Sequence, residues 1–317
     1  MAQDRRPLGI YVGATRQNDG KTTMSMGLLN ALGEVEPSIG YIKPVGQQVK
    51  LVDGHQIDKD ATLMNDLFHI GNHLQDMSPV AIPRGFTEDF ISGKNDGSLP
   101  EKIREAYRRE GEGKELMVIE GTGHAGVGSV IELSNADVAA LLDVPVVIVT
   151  CGGIGKPIDE VSLNKALFDS RGVKVLGVIV NKVHQDKYEK IDTFVRMGFE
   201  RKGIPVLGVL PFFPGLSSPT MRQLLEDMGA DLLSGGECLD HSVDRILVGA
   251  MPPRAAKTLP DNGRERRRTQ GLLTRKHIPR ERDRNHEQSE PWRNMPSGHP
   301  PPPLTDQPQA LFMRTGH

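Results

Sequence analysis

Short apolar runs alternate with longer amphipathic stretches through the first two thirds of the chain. The apolar runs predict strands at Leu8–Val12, Gly40–Ile42, Leu116–Glu120, Val144–Thr150, Val173–Asn181 and Pro205–Leu210. Several are nearly unbroken Val, Ile and Leu, the pattern of parallel strands covered on both faces. Between them the spacing predicts helices at Thr22–Leu32, Asp58–Phe68, Pro100–Arg109, Ser134–Leu142, Ile158–Ser170 and Lys187–Lys202. Strand–helix alternation of this kind predicts an α/β domain with a doubly wound, mostly parallel sheet. Right-handed crossovers bring the strand C-termini to one edge, where ligands bind.

The pattern changes at Pro219. A helix is expected from Thr220, ended by Gly229, and a strand at Asp244–Met251, together the beginning of a small α+β unit. Beyond Met251 no periodicity survives, and composition explains why. The totals are bland, with 39 Lys and Arg against 41 Asp and Glu. Residues 1–251 nevertheless carry a net charge of −8 and residues 252–317 a net +6. The last stretch holds 11 of the 23 prolines and no valine, and only 13 of its residues are apolar. So little burial cannot offset the entropy of ordering, and a disordered Pro/Arg-rich tail is expected over 254–317. Three regions follow: 1–215, 216–253 and 254–317.

Two cysteines, Cys151 and Cys238, fit a reducing compartment. The run Leu8–Ala14 leads into Arg16 and a glycine-containing loop without a cleavage signal, so it reads as a strand and not a leader. No window approaches a membrane span, and a cytoplasmic protein is expected.

Candidate chemistry centres on residues 11–32, YVGATRQNDGKTTMSMGLLNAL. An apolar strand leads to a loop with Gly13 and Gly20, and Lys21-Thr22-Thr23 then opens a helix. Glycines let backbone N–H groups approach phosphate oxygens, and the helix N-terminus adds partial positive charge. Lys21 would reach the β- and γ-phosphates of a nucleotide, and the Thr22 hydroxyl would ligate Mg²⁺. The string departs from the standard G-x4-G-K-[ST] loop. Thr15 stands at the first glycine position, and Gly13 lies seven residues before Gly20. Arg16 reads either as a second cation for phosphate or as a solvated loop residue.

Three further segments follow strand candidates. Lys43 in YIKPVGQ is either an anion contact or a surface lysine. Asp58 and Asp60 precede a helix, where a carboxylate is a metal ligand or only a cap. Glu120 ends the run LMVIE at the sheet edge, well placed for Mg²⁺ on a nucleotide. Asn181 ends LGVIVN and could pair with an adenine edge or simply terminate the strand. His124, in a glycine loop, is a substrate contact or incidental.

In this order the residues resemble the dethiobiotin synthetase-like family of P-loop ATPases. The wider group includes relatives of cobyrinic acid a,c-diamide synthase and the N-terminal part of long phosphate acetyltransferases. The resemblance rests on GKT at Gly20–Thr22, YIKPV at Tyr41–Val45, Asp60, VIEGTG at Val118–Gly123 and SNAD at Ser134–Asp137. It continues through PVVIV at Pro145–Val149, GVIVNKV at Gly177–Val183 and IPVLGVLP at Ile204–Pro211, and covers about residues 7–215. It implies a fold of P-loop NTPase type, with ATP and Mg²⁺ as cofactors. By position it implies Lys21 and Lys43 as catalytic residues, with Gly13, Gly20, Lys21, Thr22, Thr23 and Asn181 on the nucleotide. Thr22, Asp60 and Glu120 would hold the metal.

The activity implied is ATP-dependent phosphoryl transfer that activates a carboxylate or carbamate, with an unidentified small-molecule acceptor. Gly46-Gln47-Gln48 and Gly121-Thr122-Gly123-His124 differ from the family's usual strings, which leaves the acceptor open. The segment 216–253 resembles the start of the small "DRTGG" domain that follows this ATPase domain in phosphate acetyltransferases, though the string itself is absent. That likeness implies the alternative of a nucleotide-sensing regulatory module without turnover. A homodimer fits the family. Membrane attachment is not expected. Nor is nucleic-acid binding, because the tail arginines lack a folded scaffold.

Overall fold

A computed structural model describes residues 6–243 except 37, 72, 95, 96 and 233, together with 246–248, 270–273, 310–311 and 313–315. The chain divides into two units, Met1–Phe212 and Phe213–His317.

The first unit begins with β1 (Leu8–Ala14), α1 (Lys21–Gly33), β2 (Ile39–Ile42), β3 (Val45–Gly46), β4 (Val49–Val52), β5 (His55–Asp58) and α2 (Lys59–Phe68). It continues with α3 (Leu74–Met77), β6 (Val80–Ala81), α4 (Phe86–Ile91), α5 (Leu99–Glu110), β7 (Leu116–His124) and α6 (Asn135–Leu141). It closes with β8 (Val146–Cys151), α7 (Gly155–Ser170), β9 (Val175–Val183), α8 (Tyr188–Glu200) and β10 (Val206–Pro211). The six long apolar runs form one sheet in the order β10-β9-β8-β1-β7-β2. Every neighbouring pair is parallel.

Alternate residues of each strand point to opposite faces, and both faces are buried. Tyr11, Ile119 and Ile148 pack on one side with Ile103, Val138, Val161, Phe168 and Phe199 of α5 to α8. Val12, Tyr41 and Val118 pack on the other with Leu29, Ala61, Met64 and Met77 of α1 to α3. Phe168 is fully buried, and truncating such a side chain to Ala costs about 3–5 kcal/mol. The double-sided burial is why the strands carry continuous apolar runs rather than alternation.

The β4–β5 hairpin was not among the expected elements. It closes through Asp53 (φ 49°) and Gly54 (φ 82°), with Val52 facing His55. Two positive φ values in a two-residue loop make a type I′ turn, which Asp-Gly favours.

In the second unit, α9 (Met221–Asp227) carries a capping box between Thr220 and Gln223. It is followed by β11 (Ala230–Leu232) and β12 (Ile246–Val248). The strands β13 (Gln270–Leu273), β14 (Ala310–Leu311) and β15 (Met313–Thr315) lie in the stretch expected to be a disordered tail. The order β12-β13-β14 and the pair β11-β15 complete this unit's sheets. The rest of 254–317 is outside the described residues. Among the described residues no helix is long and apolar enough to cross a membrane.

Candidate functional site

At the C-terminal edge of the sheet, the turn after β1 enters α1 through Gly20, which has φ 103°. A Cβ there would lie 2.3 Å from Asn181 Nδ2, so the position accepts only glycine on both counts. Gly20 is the helix N-cap, no side chain caps α1, and its first turn holds no acidic residue. The first-turn N–H groups have no intrahelical partner. They and the helix dipole therefore form an anion-binding end.

A cleft of about 740 Å³ opens over this end. Lys21, Thr22, Thr23, Lys43, Asp60 and Glu120 all contribute to its wall. Two expected nucleotide residues are placed differently. Gly13 lies within β1 opposite Ile148, 3.4 Å from Phe168 when given a Cβ, and makes room for α7 rather than lining the cleft. Asn181 is buried, and its Nδ2 donates to the Asp19 carbonyl at 3.0 Å. Its neighbour Lys182, at φ 58°, lines the cleft and donates through Nζ to the Asn18 carbonyl at 2.6 Å.

Glu120 is wholly buried at the end of the sheet. Its carboxylate accepts from Thr22 Oγ1 at 2.8 Å and Tyr41 OH at 3.1 Å. The Lys43 ammonium lies 3.4 Å from Glu120 Oε1 and 3.3 Å from Asp58 Oδ1, and it pairs directly with Asp60. Burial alone would lower the lysine's pKa; Glu120, Asp58 and Asp60 outweigh it and hold the ammonium above its ordinary value. Burial raises the Glu120 carboxyl above the usual carboxylate range, with Lys43 opposing. Lys21 shifts the other way: burial lowers it, only partly offset by Glu120.

Asp58 resolves the choice between cap and ligand differently from Asp60. Its side chain accepts from the Asp60 N–H at 2.9 Å and caps α2. It also accepts from the Gln48 N–H at 3.1 Å. Asp60 is left facing Lys43 and the cleft. Thr22, Asp60 and Glu120 thus supply oxygen donors side by side, the chemistry Mg²⁺ prefers. Among the described residues no group of three or more His, Cys, Asp or Glu is arranged to hold a metal. An ion held by one or two carboxylates, a hydroxyl and nucleotide phosphates needs no such group, and the oxygens of Thr22, Asp60 and Glu120 in one cleft fit it.

One residue of the site had no reading of its own in the sequence. Asn135, from the SNAD segment, holds the last residues of β7. It accepts from Tyr11 OH at 2.7 Å and the Thr122 N–H at 2.9 Å. It donates to the carbonyls of Thr122 at 2.6 Å and His124 at 2.5 Å. An Asn opening a helix reads locally as capping chemistry, so the signal was available only as a motif. His124 lines the cleft, and its Nδ1 accepts from the Gly126 N–H at 3.2 Å. Arg16 does not face the cleft; it pairs with Glu160 at 3.3 Å and Asp19 at 3.7 Å.

A model of the AAA domain family matches residues 8–220. The chain is 26% identical over 221 residues to the ATP-dependent dethiobiotin synthetase BioD of Bacillus subtilis subsp. natto, covering 69% of this chain and 94% of that one. It is 25% identical over 252 residues to the phosphate acetyltransferase of Synechocystis sp., covering 76% of this chain and 34% of that one. The chain therefore spans about a third of that acetyltransferase's length. Among solved structures it is similar to a putative plasmid partition protein from Borrelia burgdorferi B31 bound to AMPPNP. That likeness has 13% identity and a TM-score of 0.42, over 66% of this chain and 88% of that chain. The MinD cell division protein of Aquifex aeolicus gives 15% identity and a TM-score of 0.41, over 66% and 84%.

Proposed function

The chain belongs to the AAA domain family, within its dethiobiotin synthetase-like P-loop ATPases, and from that premise we propose an ATP- and Mg²⁺-dependent phosphoryl-transfer enzyme. Its product would be an activated carboxylate or carbamate, ready for C–N bond formation. One observation supports the reading above the rest: Lys21, Lys43, Asp60 and Glu120 share one cleft at the uncapped end of α1.

In this mechanism the α1 N-terminus and Lys21 hold the phosphate chain and neutralise charge as it shifts from γ-phosphate to the β–γ bridge oxygen. Thr22, Glu120 and Asp60 would hold Mg²⁺, which when bound draws electron density from the transferring phosphoryl group. Lys43, kept charged by its carboxylates, would orient the anionic acceptor oxygen toward the γ-phosphorus. Gln47, Gln48, Thr122 and His124 line the same cleft and would bound the acceptor. Positioning and charge neutralisation carry the catalysis, as in other phosphoryl transfers.

A second reading, a nucleotide sensor without turnover, draws on the match to about a third of a phosphate acetyltransferase and on the small unit that follows, read as DRTGG-like. ADP release measured with Mg²⁺-ATP, alone and with a panel of amines, bicarbonate and carboxylates, separates the two. Acceptor-stimulated release supports the enzyme. Tight ATP binding without turnover supports the sensor. Failure to bind ATP removes both.

A further inference from the structure

Asp19 immediately precedes Gly20, yet it does not line the cleft. It is 2% exposed, and its carboxylate turns back into the loop. Oδ2 accepts from Thr15 Oγ1 at 2.7 Å and from the Arg16 N–H at 2.8 Å. Oδ1 accepts from Cys151 Sγ at 3.1 Å, at the end of β8, and lies 3.7 Å from the Arg16 guanidinium. The residue's own carbonyl is held by Asn181 of β9. One residue thus ties the end of the loop to its start and to two neighbouring strands.

This loop needs such a tie. A standard phosphate loop has glycine at the Thr15 position, and this loop is longer between its glycines. A longer loop is more costly to fix in one shape. A buried carboxylate persists only when hydrogen-bonded, so the donors that satisfy it also lock it in place. Four groups bond or pair with the Asp19 carboxylate, and each can donate: a hydroxyl, an N–H, a thiol and a guanidinium.

We propose that Asp19 is a positioning residue for the nucleotide's phosphates, its buried carboxylate replacing the missing glycine as the device that sets the loop's shape. The inference rests on the reading of this cleft as an ATP site. Asp19→Asn keeps size and shape but removes the charge and leaves one oxygen to accept where two did, so the tie is weakened.

The test uses the full chain and three measurements: calorimetric affinity for Mg²⁺-ATP, affinity for adenosine, and the rate of Cys151 alkylation by iodoacetamide followed by peptide mass spectrometry. Asp19→Asn is expected to weaken Mg²⁺-ATP binding at least about tenfold, the scale of lost hydrogen bonds to a charged group. Adenosine, which has no phosphate, should bind as before, and Cys151 should alkylate faster. If Asp19→Asn matches the wild type for ATP, or loses adenosine binding in the same proportion, the proposal fails while the ATP reading stands. If the wild type binds no Mg²⁺-ATP, the ATP reading fails and this proposal with it. Should Asp19→Asn not fold, Thr15→Val removes a single donor. It is expected to weaken ATP binding about threefold or more, and wild-type affinity there overturns the proposal.

Discussion

The Thr22 hydroxyl donates to Glu120 Oε1 across 2.8 Å, joining the first turn of α1 to the middle of β7. The bond sets two of the proposed metal-holding oxygens beside each other before any ligand arrives. Thr22→Ala and Glu120→Gln should each reduce Mg²⁺-ATP turnover by about 10² or more, the scale of a lost transition-state contact. Thr22→Ser, which keeps the hydroxyl, should retain most activity. ADP release assays check this, and unimpaired turnover in Glu120→Gln would remove Glu120 from the site.

A methyl group at Gly46 would come 2.6 Å from Asp58 Cβ and 2.7 Å from its Oδ2. Gly46→Ala must therefore push Asp58 away from its bonds to α2 and Gln48. The expected cost is about 1–3 kcal/mol, typical of overpacking, read as a lower urea midpoint. A midpoint equal to the wild type would mean that β3 and Asp58 yield without strain.

The C-terminal end of β7 depends on Asn135. Asn135→Ala strands the Tyr11 hydroxyl and the Thr122 backbone and should cost about 1–3 kcal/mol in denaturant unfolding. Asn135→Asp should not restore stability. It can still accept from Tyr11 OH and the Thr122 N–H, but it sets a carboxylate against the Thr122 and His124 carbonyls.

At high pH, three buried groups act together. Burial raises the phenols of Tyr11 and Tyr41 above the ordinary tyrosine value, with Glu120 adding to the effect. Lys43 is raised as well, by carboxylates that outweigh its burial. Each folded value lies above the unfolded one. The stability they contribute is therefore complete below a pH of about 10 and declines as pH climbs above it. Ultraviolet titration should show Tyr11 and Tyr41 ionising only as the chain unfolds. Tyr11→Phe and Tyr41→Phe should each remove one such late-ionising phenol. A phenolate signal from either residue in the folded protein would contradict the expectation.

The sheet was legible because its signal is local and repeated. Each central strand is a run of Val, Ile and Leu, and burial on both faces demands that composition. The strands at Leu8, Leu116 and Val175 run a few residues further than expected, past glycines and polar residues that the neighbouring strands hold extended. The cluster of Lys21, Thr22, Lys43, Asp60 and Glu120 was also legible, because each stands in or just after a short apolar or alternating run, where a charged residue is conspicuous. Gly13 and Asn181 were harder to place. Proximity to the loop suggested the nucleotide, yet Gly13 is spaced by Phe168 and the Asn181 amide holds the Asp19 carbonyl. Asp19 itself carried no signal, since its partners Thr15 and Cys151 meet it only through the fold. The Asp53-Gly54 turn did carry one, a strong hairpin signature between short alternating segments, overshadowed by the stronger apolar runs on either side.

The hairpin also acts as a ruler for the site. Its second strand runs without a break into Asp58, the cap of α2, so the pairing of Val49 with Asp58 decides where both Asp58 and Asp60 arrive. Slipping a strand by one residue turns every side chain to the opposite face. A single inserted or deleted residue at Asp53-Gly54, on the protein's surface, would therefore point Asp58 away from Lys43. Length at this turn is a condition of assembly for a cleft that the turn never touches.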